Sequence, residues 1–259
     1  MKWSDLAWSE IPDVLAHCGQ AALLPVGATE QHGPHLGTGV DFIIAEQLCF
    51  KVAEQTGVPV LPVVPYGCSI GHSQRWPGTL GLQPVTLIQM IKEIGDWAWH
   101  SHIRRLFIIN AHVTNAAPLR CALEMLRAEH DGFMVTVLNT ATLSERVRTF
   151  HAQDAVDWHA NDAETSLMMH IAPQAVRPEL CIHADDPDRT THCVFAHPVN
   201  RTSLNGVTGY PSQASATKGA EWFDWMVQDL AQLVQRGISE HPPLNNPYHT
   251  LPEGNHHEH

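Results

Sequence analysis

The sequence lacks an apolar run long enough to span a membrane, and its first residues lack the apolar core of a signal peptide. It is also poor in positive charge, with 15 Lys and Arg against 27 Asp and Glu and a net charge of −12. No segment clusters basic residues. These deficits argue against nucleic acids and anionic membrane surfaces as partners, and they predict a soluble cytoplasmic protein.

The six cysteines are scattered and form no C-x-x-C pair, so neither a zinc knuckle nor a disulfide framework is indicated. We interpret them as free, mostly buried thiols of a reducing compartment. A chain of 259 residues buries roughly three quarters of its unfolded surface without such crosslinks. We expect one domain over residues 1–240, followed by a tail, residues 241–259, that is flexible or docked on a neighbouring subunit.

Short apolar runs alternate with helical patterns along the chain. The runs predict strands at residues 21–26, 58–64, 105–110 and 133–138. The prolines within residues 58–64 suggest that this strand is an edge or has a distorted end. Apolar residues at helical spacing predict helices at residues 41–55, 85–99, 115–129 and 212–236. This alternation predicts an α/β fold, with a mostly parallel central sheet between helices in three α/β/α layers. The segment 173–211 has little periodicity and is interpreted as a long excursion on the substrate side.

Candidate chemistry is concentrated in residues 23–42, LLPVGATEQHGPHLGTGVDF. After the predicted strand ends at a glycine, two carboxylates and two imidazoles follow within fifteen residues, namely Glu30, His32, His35 and Asp41. Ligands of open α/β sheets bind at such strand-end loops. Glu30 and His32 are two residues apart and point the same way in an extended loop. Although an isolated E-x-H is usually a solvated loop, this density favours one or two divalent metal ions.

Two further polar clusters follow other predicted elements. The string N-A-H-V-T-N comes directly after the strand 105–110 and places His112 at the same edge of the sheet. The string D-W-H-A-N-D-A-E-T-S, residues 157–166, spans the start of a helix. His159 and Glu164 can therefore lie on neighbouring sides of one pocket. The helix dipole also favours a carboxylate near a helix start, so a structural role would explain Glu164 as well.

The string E-Q-H-G-P-H-L, with an Asp eleven residues after its Glu, resembles the signature of the creatininase (creatinine amidohydrolase) family. N-A-H-V-T-N is similar to that family's N-G-H-G-G-N or N-G-H-Y-E-N, and H-A-N-D-A-E-T-S to its H-A-G or H-G-G followed by E-T-S. Residues 67–80, GCSIGHSQRWPGTL, resemble its glycine-rich loop. The resemblance covers about residues 23–234 and implies a creatininase-like fold and a hexamer.

The resemblance also implies a pair of divalent metal ions. Mixed nitrogen and oxygen ligands suit Zn²⁺ or Mn²⁺, with Fe²⁺ as a further candidate. The implied ligands are Glu30, His32, Asp41, His112 and Glu164. Asp41 would bridge the two ions, and three carboxylates would cancel most of their charge.

Residues around these ligands are assigned to the substrate. Within the glycine-rich loop, Ser69, His72 and Trp76 are predicted to line the pocket, although a tight turn would explain the same glycines. Thr114 stands where creatininase has a metal-binding glutamate, so Glu164 is predicted as its substitute. Trp158, also predicted to contact substrate, stands where creatininase has an acid. These departures argue against creatinine and favour a related cyclic amide, a formamide or another small amide.

The implied reaction is hydrolysis of a C–N bond by a hydroxide that bridges the metals. His159 is the predicted proton shuttle, because imidazole titrates near neutral pH, and Glu164 is grouped with it as catalytic. One alternative is a mononuclear Fe²⁺ or Zn²⁺ deformylase with Glu30, Asp41 and His112 as ligands. Another is a catalytically weak binding protein on the same fold.

Overall fold

The computed structural model describes residues 1–72, 75–244 and 246. Three strands of six residues form a parallel sheet in the order β1 (Ala21–Val26), β2 (Arg105–Asn110) and β3 (Met134–Asn139). All of β1 and nearly all of β2 is buried. Continuous apolar runs suit such strands because both faces of the sheet are covered.

Helices pack against this sheet as two groups. The α-helices of the described residues are α1 (Ile11–His17), α2 (Val40–Thr56), α3 (Pro84–His100), α4 (Ala116–Glu129), α5 (Glu145–His151), α6 (Asp162–Ile171), α7 (Pro178–Cys181), α8 (Val199–Thr202) and α9 (Ala216–Ser239). The helices α2 and α9 contact each other and the sheet, whereas α3 packs on α4 and α4 contacts β3. The predicted α/β fold with three layers is confirmed.

The last helix, α9, shows how the sequence pattern becomes packing. Its buried side chains recur at helical spacing and include Trp222, Met226, Leu230 and Val234. Each such side chain contributes roughly 1.5–3 kcal/mol when fully buried. The helix begins four residues later than predicted, because the Ser215 side chain accepts a hydrogen bond from the backbone of the first turn and caps it.

The predicted strand at residues 58–64 forms only isolated bridges. Val60 bridges Leu23 and Val64 bridges Val26, both parallel to β1. Between the two bridges the chain advances three residues along β1 and four along this segment, so the segment contains one extra residue. Pro62 lies between the bridges and has no N–H to donate, so a regular ladder cannot continue there.

The segment 173–211 contains the short helices α7 and α8, short 3₁₀ turns and isolated bridges, such as that between Asp186 and Gly209, but no regular strand. Its fold depends on side-chain contacts instead. Asp186 accepts hydrogen bonds from the Arg189 guanidinium, the Ser203 hydroxyl and the Leu204 backbone. Because these contacts replace regular ladders, periodicity could not reveal them.

Other expectations have mixed outcomes. All six cysteines are free, and four of them, Cys18, Cys49, Cys68 and Cys181, are buried. Among the described residues, none of the helices combines the length and apolar character needed to cross a bilayer. Most of the predicted tail, residues 245 and 247–259, lies outside the described part of the chain. The domain boundary at residue 240 stays a prediction.

We predict that Gly219→Ala lowers the free energy of unfolding by at least about 1–3 kcal/mol, because an added methyl group overpacks the contact between α6 and α9. A Cβ at Gly219 would lie 1.9 Å from the backbone oxygen of Ser166. Urea denaturation measures the change. Glu221→Ala, at an exposed position of the same helix, is the control and should change stability by less than about 0.5 kcal/mol. Equal stability of both variants would contradict this packing.

Candidate metal centre

The carboxyl edge of the sheet gathers the predicted ligands. Val26 and Asn110, the last residues of β1 and β2, are paired, so the loops that follow them leave the sheet side by side. The loop after β1 carries Glu30 and His32, and the loop after β2 carries His112. This meeting of two strand-end loops follows directly from the parallel pairing.

Asp41, in the first turn of α2, lies between two imidazoles. Its Oδ1 is 3.3 Å from Nε2 of His32, and its Oδ2 is 3.2 Å from Nδ1 of His112. Nε2 of His32 is also 3.6 Å from Oε1 of Glu164, and Nε2 of His112 is 3.5 Å from Oε2 of Glu30. All five side chains are buried. The structure thus brings together every predicted metal ligand in one cluster, which we call the carboxylate–imidazole cluster.

Backbone carbonyls orient both imidazoles. Nδ1 of His32 is 3.1 Å from the carbonyl oxygen of Glu30, and Nε2 of His112 is 3.0 Å from that of Cys68. Because a carbonyl only accepts, these nitrogens carry the proton of the neutral rings. The opposite nitrogens then present lone pairs toward Asp41. Metal-binding histidines are typically fixed in this way by a hydrogen bond to the other ring nitrogen.

Three atoms of the cluster have no hydrogen-bond partner among the described residues. They are Oε2 of Glu30, Nε2 of His32 and Oδ2 of Asp41. A buried polar atom without a partner costs about 1–3 kcal/mol. Ligand atoms of these three residues lie within 4.8 Å of one another, as do those of His32, His159 and Glu164. Both groups share Nε2 of His32, which has one lone pair and can bind one cation, so they overlap and do not define two separate sites. The buried carboxylate and imidazole donors, with these unpartnered atoms, fit divalent metal.

The pKa values show that the cluster stabilises positive charge. Burial and the nearby Asp41 raise the pKa of Glu30 to about 7, although His112 opposes the shift. Burial disfavours ionisation of Asp41, but His32 and His112 hold its pKa well below the usual range. Burial also opposes protonation of His112, but Glu30 and Asp41 raise its pKa to about 9. In a metal-bound centre, cations would replace the protons that these imidazoles hold.

The start of α6 positions Glu164. The side chain of Asn161 caps the helix by accepting a hydrogen bond from the Glu164 backbone at 3.2 Å. The backbone N–H of Ala160, a residue with a φ of 51°, donates to Oε2 of Glu164 at 2.6 Å. This leaves Oε1 facing His32. Thr114, in contrast, is exposed and lies outside the carboxylate–imidazole cluster.

Two more imidazoles border the cluster. Nδ1 of His72 is 3.7 Å and Nδ1 of His159 is 3.8 Å from Oε1 of Glu30, and the two ring centroids are 4.5 Å apart. Burial, with the charge on His32, lowers the pKa of His159 to about 4. Burial and the neighbouring His159 lower the pKa of His72 as well. Both rings are therefore neutral at pH 7.

The remaining predicted residues divide into two groups. Ser69 is buried, with its hydroxyl 3.3 Å from Nε2 of His112, so it lies beside the cluster as His72 does. The two predicted tryptophans make their ring contacts elsewhere. The Trp158 ring lies 5.1 Å from that of His151, and the Trp76 ring lies under the guanidinium of Arg75. Their assignment to the substrate stays a prediction.

Three polar residues near the cluster have contacts that the sequence did not predict. His35, a candidate there, instead lies 2.8 Å from the Thr165 hydroxyl, beside the start of α6. Asn115 donates to the carbonyl of Gly27 and accepts from the backbone of Cys68, which ties three loops together. Gln31 would point away from Glu30 and His32 in an extended loop, yet its side chain is buried, with Nε2 3.1 Å from Nδ1 of His72.

The chain matches a family model described as creatininase, creatinine amidohydrolase, over residues 4–234. It is 32% identical over 225 residues to the mycofactocin precursor peptide peptidase of Mycolicibacterium smegmatis, covering 83% of this chain and 84% of that protein. It is 29% identical over 256 residues to the creatinine amidohydrolase of Pseudomonas putida, covering 92% and 96%. A solved structure described as "Creatininase Mn" superposes with a TM-score of 0.81 at 27% identity, covering 92% of this chain and 98% of that one.

The family model spans most of the chain, and the relatives align over nearly their whole lengths. These matches agree with the sequence motifs and with the parallel sheet that carries the cluster at its edge. The chain belongs to the creatininase family.

Proposed function

We propose that this protein is a metal-dependent amidohydrolase that hydrolyses a C–N bond of a small, cyclic amide or of a formamide. The observation that supports this most is the set of unpartnered atoms on Glu30, His32 and Asp41 inside a buried carboxylate–imidazole cluster. Buried polar atoms in native proteins nearly always have a partner, because an unpartnered polar atom is costly to bury. A pair of cations is the simplest ligand that satisfies them together.

The proposed ligands divide between two ions. Asp41 has one oxygen on each side, and we assign it to both. Glu30 and His112 complete one set, and His32 and Glu164 complete the other. With no thiolate in the set, the donors suit Zn²⁺ or Mn²⁺, and Fe²⁺ also fits them. When bound, such ions polarise a carbonyl and lower the pKa of water.

His159 is proposed to move the proton. Its Nε2 lies 2.9 Å from the backbone carbonyl of Gln31, so in the neutral ring that nitrogen carries the proton and Nδ1 has the lone pair. Nδ1 faces Oε1 of Glu30. The ring can therefore accept a proton at Nδ1 and later return it to the leaving nitrogen. Glu164 is proposed as a catalytic residue together with His159, and the Ala160 N–H holds its carboxylate in place.

The accessible side of the cluster limits the substrate. Glu30, His32 and Asp41 are at most 2% exposed, whereas the side chains of His72 and His159 are 14% and 12% exposed. A substrate would therefore approach past these two imidazoles. Because the ligands are buried and only these bordering imidazoles are partly exposed, we favour a small molecule or the end of a chain as substrate, with Ser69 and His72 among its contacts.

A peptide bond is the second candidate, because the relative from Mycolicibacterium smegmatis is described as a precursor peptide peptidase. A panel of cyclic amides, N-formyl compounds and short peptides separates the candidates. Turnover of peptides alone would favour the second. If the protein binds metal but hydrolyses none of them, and Glu30→Gln binds the same small ligands as the parent protein, a binding role on this fold would gain support.

Assembly and location stay predictions. We propose a homo-oligomer, a hexamer by family resemblance, that works in the cytoplasm without nucleic-acid or membrane partners. The acidic net charge of −12 supports the absence of anionic partners.

We predict that Asp41→Asn abolishes tight binding of divalent metal, because it removes the charge that both proposed ligand sets share. Elemental analysis after desalting should give about two ions per chain for the parent protein. Asp186→Asn, which changes a buried aspartate outside the cluster, is the matched control and should retain the metal. If Asp41→Asn keeps its metal as the control does, Asp41 is excluded as a ligand. One ion per chain in the parent protein would favour the mononuclear alternative.

We predict that His159→Gln lowers kcat about 10²- to 10⁴-fold while the bound metal is retained, because only the proton transfer is lost. Rates on whichever amide the panel identifies, with metal content measured on the same samples, provide the comparison. His170→Gln, at an exposed position of α6, should behave as the parent does. Activity of His159→Gln within twofold of the parent would rule out this role.

A further inference from the structure

Gln31 lies between two proposed ligands, Glu30 and His32, and its side chain is buried against the cluster. Its Nε2 is 3.1 Å from Nδ1 of His72 and 3.2 Å from the carbonyl oxygen of Gly206. Its Oε1 accepts a hydrogen bond from the backbone N–H of Gly33 at 2.9 Å. All polar atoms of the amide are thus engaged within the site.

These partners determine which way the amide faces. A backbone N–H can only donate, so the atom beside Gly33 must be the oxygen. The nitrogen then faces Gly206 and His72, and its two protons serve the carbonyl and the imidazole. Nδ1 of His72 must therefore accept, and the neutral ring carries its proton on Nε2.

The main chain of Gln31 fixes the second imidazole. Its carbonyl oxygen lies 2.9 Å from Nε2 of His159 and can only accept, so this nitrogen also carries the proton. Nε2 of His159 is 3.2 Å from the Gln31 amide nitrogen as well, but two donors cannot bond to each other. Nδ1 of His159 remains the accepting atom, on the side of Glu30.

Gly206 makes room for this arrangement. It has a φ of +89°, and a Cβ there would lie 2.0 Å from Oε1 of Gln31. The backbone of Gln31 is anchored separately, because its N–H donates to the Thr79 hydroxyl at 3.0 Å. The amide therefore fills a space that a side chain at residue 206 would close.

We propose that Gln31 is a positioning residue that gives the two bordering imidazoles opposite roles. Its amide makes His72 a hydrogen-bond donor through Nε2, and its carbonyl makes His159 a proton acceptor through Nδ1. A substrate oxygen that reaches His72 then meets a donor, while the proton released during hydrolysis meets the lone pair of His159. This catalytic consequence rests on the proposed function, whereas the two tautomers do not.

The test is ¹⁵N NMR of protein labelled at its histidine rings, recorded at pH 8 both without metal and with Zn²⁺ added. His72→Gln and His159→Gln assign the two rings by loss of signal. In the parent protein, both rings should show a protonated Nε2 and an unprotonated Nδ1. In Gln31→Glu, the carboxylate can only accept, so the proton of His72 should move to Nδ1. His159 should keep its tautomer and serves as the internal control.

Gln31→Met provides a second variant in case the new carboxylate destabilises the fold, and it should leave His72 without a single preferred tautomer. Thr79→Val, which alters only the backbone anchor, should leave both rings as in the parent protein. An unchanged His72 in both Gln31 variants, or an Nδ1 proton on His72 in the parent, would overturn the proposal.

Kinetics test the consequence separately. On an amide that the parent hydrolyses, Gln31→Glu should lower kcat about 10- to 100-fold with metal content unchanged. Unchanged kcat despite a switched His72 tautomer would overturn the catalytic part. If the parent protein hydrolyses no amide, the proposed function fails. The NMR experiment still decides whether Gln31 sets the two tautomers.

Discussion

The structure depends on holding three carboxylates together in a buried space. Glu30, Asp41 and Glu164 come from a loop and from two helices, and each faces an imidazole at less than 4 Å. Mutual repulsion at such depth is tolerable only when positive charge lies among the carboxylates. The parallel sheet brings these side chains together, because the loops that follow β1 and β2 leave the sheet at the same edge. Asp41, in the first turn of α2, connects the cluster to the fold, because it lies between His32 and His112 while its helix packs on the sheet.

Thr114 and Glu164 differ in where they lie relative to the carboxylate–imidazole cluster. The position after β2 at which creatininase has a glutamate is here an exposed threonine, whereas Glu164 reaches His32 from the start of α6. In our proposal, a carboxylate supplied by a capped helix start takes the place of one supplied by a strand-end loop. The helix dipole favours this carboxylate, and the Ala160 N–H fixes its rotation.

Much of this was accessible from the sequence. Apolar runs predicted β1 and β2, and the polar strings that follow them predicted which side chains would meet. The prolines of residues 58–64 indicated an edge or a distorted end, and the pairing breaks at Pro62, although the apolar pattern alone is that of a regular strand. The local pattern did not predict the position of Gln31, because the loop turns at Gly33 and returns the amide toward the site. Contacts made by loops that fold back on themselves depend on tertiary structure, which no local pattern encodes.

The most direct test of the account is anomalous X-ray diffraction from crystals grown with Mn²⁺ or Zn²⁺. We expect two anomalous peaks inside the carboxylate–imidazole cluster, both in contact with Asp41, with Glu30 and His112 at one and His32 and Glu164 at the other. A single peak would support a mononuclear centre. Peaks only at surface groups, such as Asp96 with Glu129 and His130, would contradict the assignment of this cluster as the metal centre.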